Sequence, residues 1–454
     1  MVSAASAAQP PAAAPECRTC AGCQVTSPYV AAFSMSRRRV PNPGYLCPRC
    51  ATADALRRAR RGLIGWLLLA AVALPTAIVG GPQDGAWGFV TALLAWPFIV
   101  ATVVPHELGH ALAALALRFQ VASIGFGTGR AIRTWFVRGT AITLGQIPLG
   151  GATQIGTVHL QGLRLRLILV YLAGPAANVL CILVGVLLGA NAATPRSFDA
   201  FRPGAVWTMI NLTVIVLNLW PHKVDHRRLD SDGLQIWKLL RHGVSRETVD
   251  ALTVGAPVVR ATHLLANNQP RLALEVTRDA LRRSPESKLA WVASSAALVG
   301  CAEFAEAEAA CRRVLDAPAA TDIDRACQAA ANCNLGIVRL LSDDPADWAA
   351  ARTHTQAAYS FLPWDEAVAC AHAASVALAG TLEAGLEIVD RLVGRTPTLR
   401  VRRDAAIALV GARTGRLAEA DAAYRRALAA SKGYEGAMLA AARRAMERAG
   451  RPTA

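Results

Sequence analysis

Four long apolar stretches constrain this 454-residue chain more than anything else in it. Gly62–Gly80 carries no charged residue over 19 positions, about the length a helix needs to cross a bilayer core. Gly85–Leu117 is longer and holds His106, Glu107 and His110. Leu167–Ala193 contains Gly-Pro-Ala-Ala-Asn at Gly174–Asn178, and Gly204–Trp220 is followed at once by Pro221. Composition agrees: 53% of residues are hydrophobic and 18% charged, against about 25% charge in ordinary soluble domains. That balance excludes a disordered polymer, a collagen-like fibre and a typical soluble enzyme. It points to a polytopic membrane protein with soluble parts.

The net charge of +16 is unevenly placed. Residues 1–61 hold 9 basic and 2 acidic residues, residues 62–240 hold 12 and 6, and residues 241–454 hold 27 and 24. The excess sits in and before the apolar runs, which suits an anionic membrane surface. No basic patch interleaved with aromatics suggests a nucleic-acid partner. Arg57, Arg58, Arg60 and Arg61 precede the first run, and Arg118, Arg130, Arg133, Arg138, Arg164 and Arg166 lie between the second and third. The positive-inside rule then expects four spans, with the N-terminus, the 118–166 segment and everything after Pro221 in the cytosol. The first span starts late, so it is expected to stay as an uncleaved anchor. Only 4 of the 48 basic residues are Lys, an association with GC-rich bacterial genomes that places the chain in a bacterial cytoplasmic membrane.

Between the spans, residues 118–166 alternate glycines with short β-branched and aromatic runs, as hairpin strands do. Ahead of the spans, after an Ala- and Pro-rich tail over 1–16, stand Cys-Arg-Thr-Cys-Ala-Gly-Cys at Cys17–Cys23 and Cys-Pro-Arg-Cys at Cys47–Cys50. Two such knuckles make a ribbon over 17–55 whose four thiolates close a structural zinc site. The set expected is Cys17, Cys20, Cys47 and Cys50, with Cys23 as the alternative to Cys17 for the fourth place. After the spans the chain becomes Ala- and Leu-rich and repetitive. Ala273 to Ala307, Leu281 to Leu315 and Pro363 to Pro397 are each 34 residues apart. That period in helix pairs resembles tetratricopeptide repeats, here over 256–450. The fold class expected is therefore mainly α: about four transmembrane helices with a β-rich inter-span element, a small zinc ribbon and a helical solenoid.

His106-Glu107-Leu108-Gly109-His110 carries the chemistry. On a helix, positions i and i+4 share a face, so both imidazoles reach one Zn²⁺ and Glu107 lies beside them as a general base. Three polar groups in an apolar span are costly and mark a functional site. A catalytic zinc takes a third protein ligand, and Asp225, Asp230 and Asp232 all follow the fourth run, with His222 and His226 as chemical rivals. Gly233 follows Asp232 directly, and glycine allows backbone geometries closed to other residues, by which a carboxylate there could fold back to a metal. Pro97 and Pro105 are expected to break or kink the helix ahead of the motif.

These motifs resemble the site-2 protease family of intramembrane zinc metalloproteases. HELGH at His106–His110, NLWP at Asn218–Pro221, SDG at Ser231–Gly233, PLGG at Pro148–Gly151 and GPAAN at Gly174 carry the resemblance, which covers about residues 62–240. It implies zinc ligands His106, His110 and Asp232, with Glu107 as general base in a protease domain over 56–245. Asn178 and Asn218 are candidates for hydrogen-bonding substrate backbone, or for packing the helices. The implied function is regulated intramembrane proteolysis of a membrane-tethered protein, with the repeats binding protein partners. The alternative is an inactive protease-like scaffold.

Overall fold

A computed structural model describes residues 17–29, 32, 34–35, 45–79, 84–137, 140–190, 203–222, 230–391, 397–431 and 433–450. The expected tail over 1–16, Asp225 and His226 lie outside them. The N-terminal unit is built from two-residue strands, β1 (Arg18–Thr19) paired with β2 (Thr26–Ser27) and β3 (Ser34–Met35) paired with β4 (Tyr45–Leu46). Such short pairs cannot hold themselves together, so the cysteines supply the core: Cys20, Cys47 and Cys50 are all buried. Directly after Cys47, α1 (Pro48–Val79) begins and runs unbroken through most of the first apolar run.

Helix α2 (Asp84–Ala116) carries HELGH in its last third. Pro97 and Pro105 stand inside it, and it continues as one helix past both. The expected break is thus absent. The motif's first histidine follows Pro105 directly, and the helix is held from outside by packing against α1, α3 (Leu163–Ala190) and α4 (Pro203–Leu219). Two segments among the described residues, Pro97–Ala116 and Leu163–Leu187, are long and apolar enough to cross a membrane. Large side chains on their outer faces, such as Leu112, Leu180, Leu183 and Leu187, are more than half exposed, which suits lipid and not water. Val206–Leu219 is apolar but shorter.

Between α2 and α3 lie β5 (Gln120–Val137) and β6 (Thr140–Gly156). The glycine punctuation gives strands as expected, but not a plain hairpin. Ser123–Phe126 of β5 pairs with Gly151–Gln154 of β6 and also with Ala141–Leu144, because both strands bend near their middles. This doubled element rests on α2 and brings the end of β6 alongside the HELGH turn.

After α4, α5 (Asp232–His242) starts at a Ser231 N-cap. Then α6 (Arg246–Asp250) runs through a wide π turn at Ala251–Gly255 into α7 (Ala256–Ala266). The remainder is a helical array: α8 (Pro270–Arg283), α9 (Lys288–Gly300), α10 (Phe304–Leu315), α11 (Asp322–Leu341), α12 (Pro345–Phe361), α13 (Glu366–Ala379), α14 (Leu382–Asp390), α15 (Pro397–Arg413), α16 (Leu417–Ala430) and α17 (Ala437–Arg448). Alanines make the close crossings; Ala273, Ala297 and Ala307 are fully buried. Caps fix the starts, among them the Thr321–Asp324 capping box of α11 and Asp365 of α13, each worth about 1 kcal/mol. Ala273 and Ala307 fall at matching points of α8 and α10, so that period is structural. Pro363 and Pro397 do not match: Pro363 precedes α13 in a turn, while Pro397 opens α15.

Candidate metalloprotease centre

Three side chains from two segments converge on one point. His106 and His110 project from the same face of α2, one turn apart, with Nε2 atoms 3.2 Å from each other. Asp232, the first residue of α5, places Oδ2 at 3.3 Å from His106 Nε2 and 3.5 Å from His110 Nε2. All three residues are largely shielded from solvent.

The outer nitrogens decide what the inner ones can be. His106 Nδ1 lies 2.7 Å from Asn178 Oδ1, and His110 Nδ1 lies 2.7 Å from the Val170 carbonyl. Both partners accept, so both Nδ1 atoms donate and both Nε2 atoms present lone pairs. Asp232 Oδ2 is buried with no hydrogen-bond donor. Three acceptor atoms that face one another in an apolar setting are strongly unfavourable unless a cation stands between them. For ligand bonds of about 2.0–2.1 Å, tetrahedral geometry sets neighbouring donors about 3.3–3.4 Å apart, so this donor set fits Zn²⁺.

Helix α3 builds the supporting wall at i, i+4, i+8: Val170, Gly174 and Asn178 share the face turned to the imidazoles. A Cβ at Gly174 would lie 2.3 Å from His110 Nε2, so only glycine leaves the ring its place. The Asn178 amide donates in turn to Asn211 Oδ1 of α4 at 2.8 Å, and Asn211 donates to the Trp207 carbonyl at 2.9 Å. Asn178 and Asn211 are completely buried. Asn178 thus bonds a candidate ligand on one side and α4 on the other, in line with the packing role that was one of the two open to it. Asn218 donates one turn back to Val214 O at 2.9 Å, a bond within its own helix.

Local packing also separates the two described aspartates. Ser231 Oγ donates to Trp220 O at 2.7 Å and accepts from the N–H groups of His222 and Leu234. It thus ties the start of α5 to the end of α4. A Cβ at Gly233 would meet the Leu219 carbonyl oxygen at 1.9 Å. Glycine is needed there for close approach of two backbones. The positive φ that would call for its conformational freedom is not found at Gly233. Asp230 pairs with Lys238 instead, away from the imidazoles.

Glu107 is buried beside this cradle. Thr153 of β6 donates to Glu107 Oε2 at 2.7 Å and to its carbonyl oxygen at 3.1 Å. The strand passes so close that a Cβ at Gly151 would touch the Glu107 side chain at 2.5 Å. Sequence reasoning missed Thr153 and Asn211. Nothing local signals either one, although Gly151 within PLGG hinted at a tight approach.

In the N-terminal unit, Cys20, Cys23, Cys47 and Cys50 bring their sulfurs within 4.8 Å of one another, with Cys23 Sγ and Cys47 Sγ 3.7 Å apart. Cys17, expected as the fourth thiolate, is exposed and outside this group, and its alternative Cys23 stands in that place. The tight turn Cys20–Cys23 favours Cys23, since it folds the second thiol back under the first. The N–H groups of Gly22 and Cys47 both donate to Cys20 Sγ at 3.3 Å. Hydrogen bonds from the Cys23, Cys47 and Cys50 thiols draw the Cys20 thiol far below its ordinary range, while Cys50 is driven up. Four thiols this close cannot all ionise without a cation, and a Cys₄ set can hold a tetrahedral zinc.

Comparison with known proteins agrees with the geometry. No curated protein matches the chain. Among solved structures, a thermophilic TPR protein from Thermus thermophilus aligns at 18% identity and TM-score 0.29, over 38% of this chain and 90% of that one. The repeat architecture rests on the helix pairs themselves. Residues 95–259, which span HELGH, the wall of α3 and the Ser-Asp-Gly start of α5, match the model of peptidase family M50. Over that segment the chain is similar to peptidase family M50, the site-2 proteases.

Proposed function

We propose that the chain is an intramembrane zinc endopeptidase that cleaves transmembrane or membrane-proximal segments of membrane-tethered proteins. The observation that carries the reading is the convergence of two imidazole lone pairs and an orphaned buried carboxylate oxygen beside a buried glutamate. His106, His110 and Asp232 would hold the zinc. Bound there, zinc supplies Lewis acidity toward the scissile carbonyl and its attacking water. Glu107 takes a proton from that water as oxygen bonds to the carbonyl carbon, and delivers it to the amide nitrogen as the C–N bond breaks. Thr153 holds the carboxylate in place for both transfers. Burial of the centre among apolar helices excludes bulk water and favours an unwound membrane peptide over a soluble one.

In this reading residues 1–61, 118–166 and 221–454 face the cytosol of a bacterial cell, and the repeats recruit the protein substrate. Termini profiling of membranes from cells expressing the wild type or Glu107→Gln tests it. New protein ends inside apolar spans should occur with the wild type alone. Identical profiles would refute it.

A further inference from the structure

The cysteine unit looks at first like a recruitment module with a free face. That face is covered by the chain itself. Ser27, buried in β2, donates from Oγ to the carbonyl oxygen of Phe361 at 2.7 Å. Tyr29 stacks on the Phe361 ring, centroids 5.1 Å apart and planes 17° from parallel. Arg49, between Cys47 and Cys50, pairs with Glu366 at 3.3 Å. Trp364 packs against the buried cysteines. Phe361 ends α12, Trp364 lies in the turn after it and Glu366 opens α13, so all three sit at one junction. The cavity left in the seam is about 10 Å³, at most the room for one water. The seam thus joins the two parts by a hydrogen bond, a ring stack and an ion pair with little space left between them.

Where the cysteine unit leads gives the contact its meaning. Cys50 lies in the first turn of α1, and α1 continues without a break into the first apolar run. The cysteine site and that helix are one rod. At its other end, the repeat array is joined to the β5–β6 element through the Thr157 N–H to Leu252 carbonyl bond at 3.0 Å and the packing of Phe136. The array is therefore held at two points about a hundred residues apart in sequence, near Leu252 and at the α12–α13 turn.

We propose that the metal-filled Cys20/Cys23/Cys47/Cys50 unit is a latch whose partner is the α12–α13 turn of the same chain. It fixes the repeats to the first membrane helix, and loss of its metal releases them without unfolding them. The physical reason is that two-residue strands have no other core. Without the metal, Ser27, Tyr29 and Arg49 lose the geometry in which they meet the turn. The inference does not depend on the protease reading, because none of these residues belongs to the HELGH centre. It also predicts that any external partner of the cysteine unit must first displace the α12–α13 turn.

Hydrogen exchange on the full-length protein in lipid nanodiscs tests this, with metal content measured alongside. Three proteins are compared: wild type, Cys47→Ser, and Tyr29→Ala/Arg49→Ala, which keeps all four thiols. Cys47→Ser should lose one zinc per chain and raise exchange over 355–370 by ~10-fold or more, while α16 and α17 stay protected. Tyr29→Ala/Arg49→Ala should raise exchange over the same residues with zinc retained. Unchanged protection over 355–370 in either variant overturns the latch. So does loss of protection throughout α7–α17 in Cys47→Ser, which would make the unit a folding requirement.

Discussion

Replacing Asn178 by Leu separates two roles that this buried amide could have. Leucine branches at Cγ as asparagine does and is somewhat bulkier, so it fills the space between α2, α3 and α4 without leaving room for a substituting water. It strands two groups: the His106 Nδ1–H, which lost an acceptor at 2.7 Å, and Asn211 Oδ1, which lost a donor at 2.8 Å. Hydrogen bonds between membrane helices average only about 0.6 kcal/mol, whereas an orphaned buried polar group costs about 1–3 kcal/mol. The larger figure governs here, because both groups are completely enclosed and have no second partner to turn to. Stability should fall by ~2 kcal/mol. The part that falls on His106 also frees the imidazole to rotate, and loss of such an orienting partner weakens metal binding about 10–100-fold.

Zinc affinity by chelator competition on purified protein, with cleavage rates on a co-reconstituted single-span protein, reads both effects. The expected result is zinc weakened by ~10-fold or more and kcat lowered at saturating substrate. Asn178→Asp should recover zinc affinity, since a carboxylate also accepts from His106, yet remain less stable because it faces Asn211 Oδ1. A variant with wild-type zinc affinity and only a raised KM would refute the orienting role. It would restore the substrate-backbone role that the Asn178 position first suggested.

Other outcomes follow from the same geometry. Thr153→Val should keep zinc and KM but lower kcat by ~10-fold, with Thr153→Ser near wild type, because only the hydroxyl to Glu107 is at stake; equal kcat in both variants would contradict this. Asp232→Ala should lose the membrane-domain zinc and all cleavage, whereas Asp230→Ala should be mild, since it removes only a partly exposed pair with Lys238; metal analysis of the two variants decides it. In the repeats, burial lowers the His372 side chain to about 4 from its ordinary 6.5. The unfolded chain therefore binds the extra proton first, and the repeats should lose stability as pH falls from 6.5 towards 4, with no further loss from this group below that. Thermal melts of His372→Phe, which keeps the stack on Tyr359, should show a shallower acid slope than the wild type; an identical slope would exclude His372 as the cause.

The legible parts of this molecule are those where chemistry is written in short spacing. HELGH on a helix, four cysteines in two knuckles and apolar runs of bilayer length each follow from local geometry. The repeat array was readable in Ala273 and Ala307 but not in Pro363 and Pro397, because inter-helix turns of different length break a strict period. Pro105 does not end α2, because proline's cost in a helix is judged for an isolated helix and α2 is clamped between its neighbours. Gly233 was assigned the right importance for the wrong reason: the sequence shows a glycine but not the Leu219 carbonyl packed against it. Thr153, Val170 and Asn211 reach the centre only through the packing of β6, α3 and α4. Contacts between segments about 50–100 residues apart leave no trace in a single sequence.

Zinc stoichiometry and cleavage measured together on three proteins test the central claim most directly. The wild type and Glu107→Gln should each carry two zinc ions per chain, one in each donor cluster, and His106→Ala one. Only the wild type should cleave a co-reconstituted membrane-tethered protein. Cleavage by Glu107→Gln within tenfold of the wild type, or two zinc ions surviving in His106→Ala, would contradict the account.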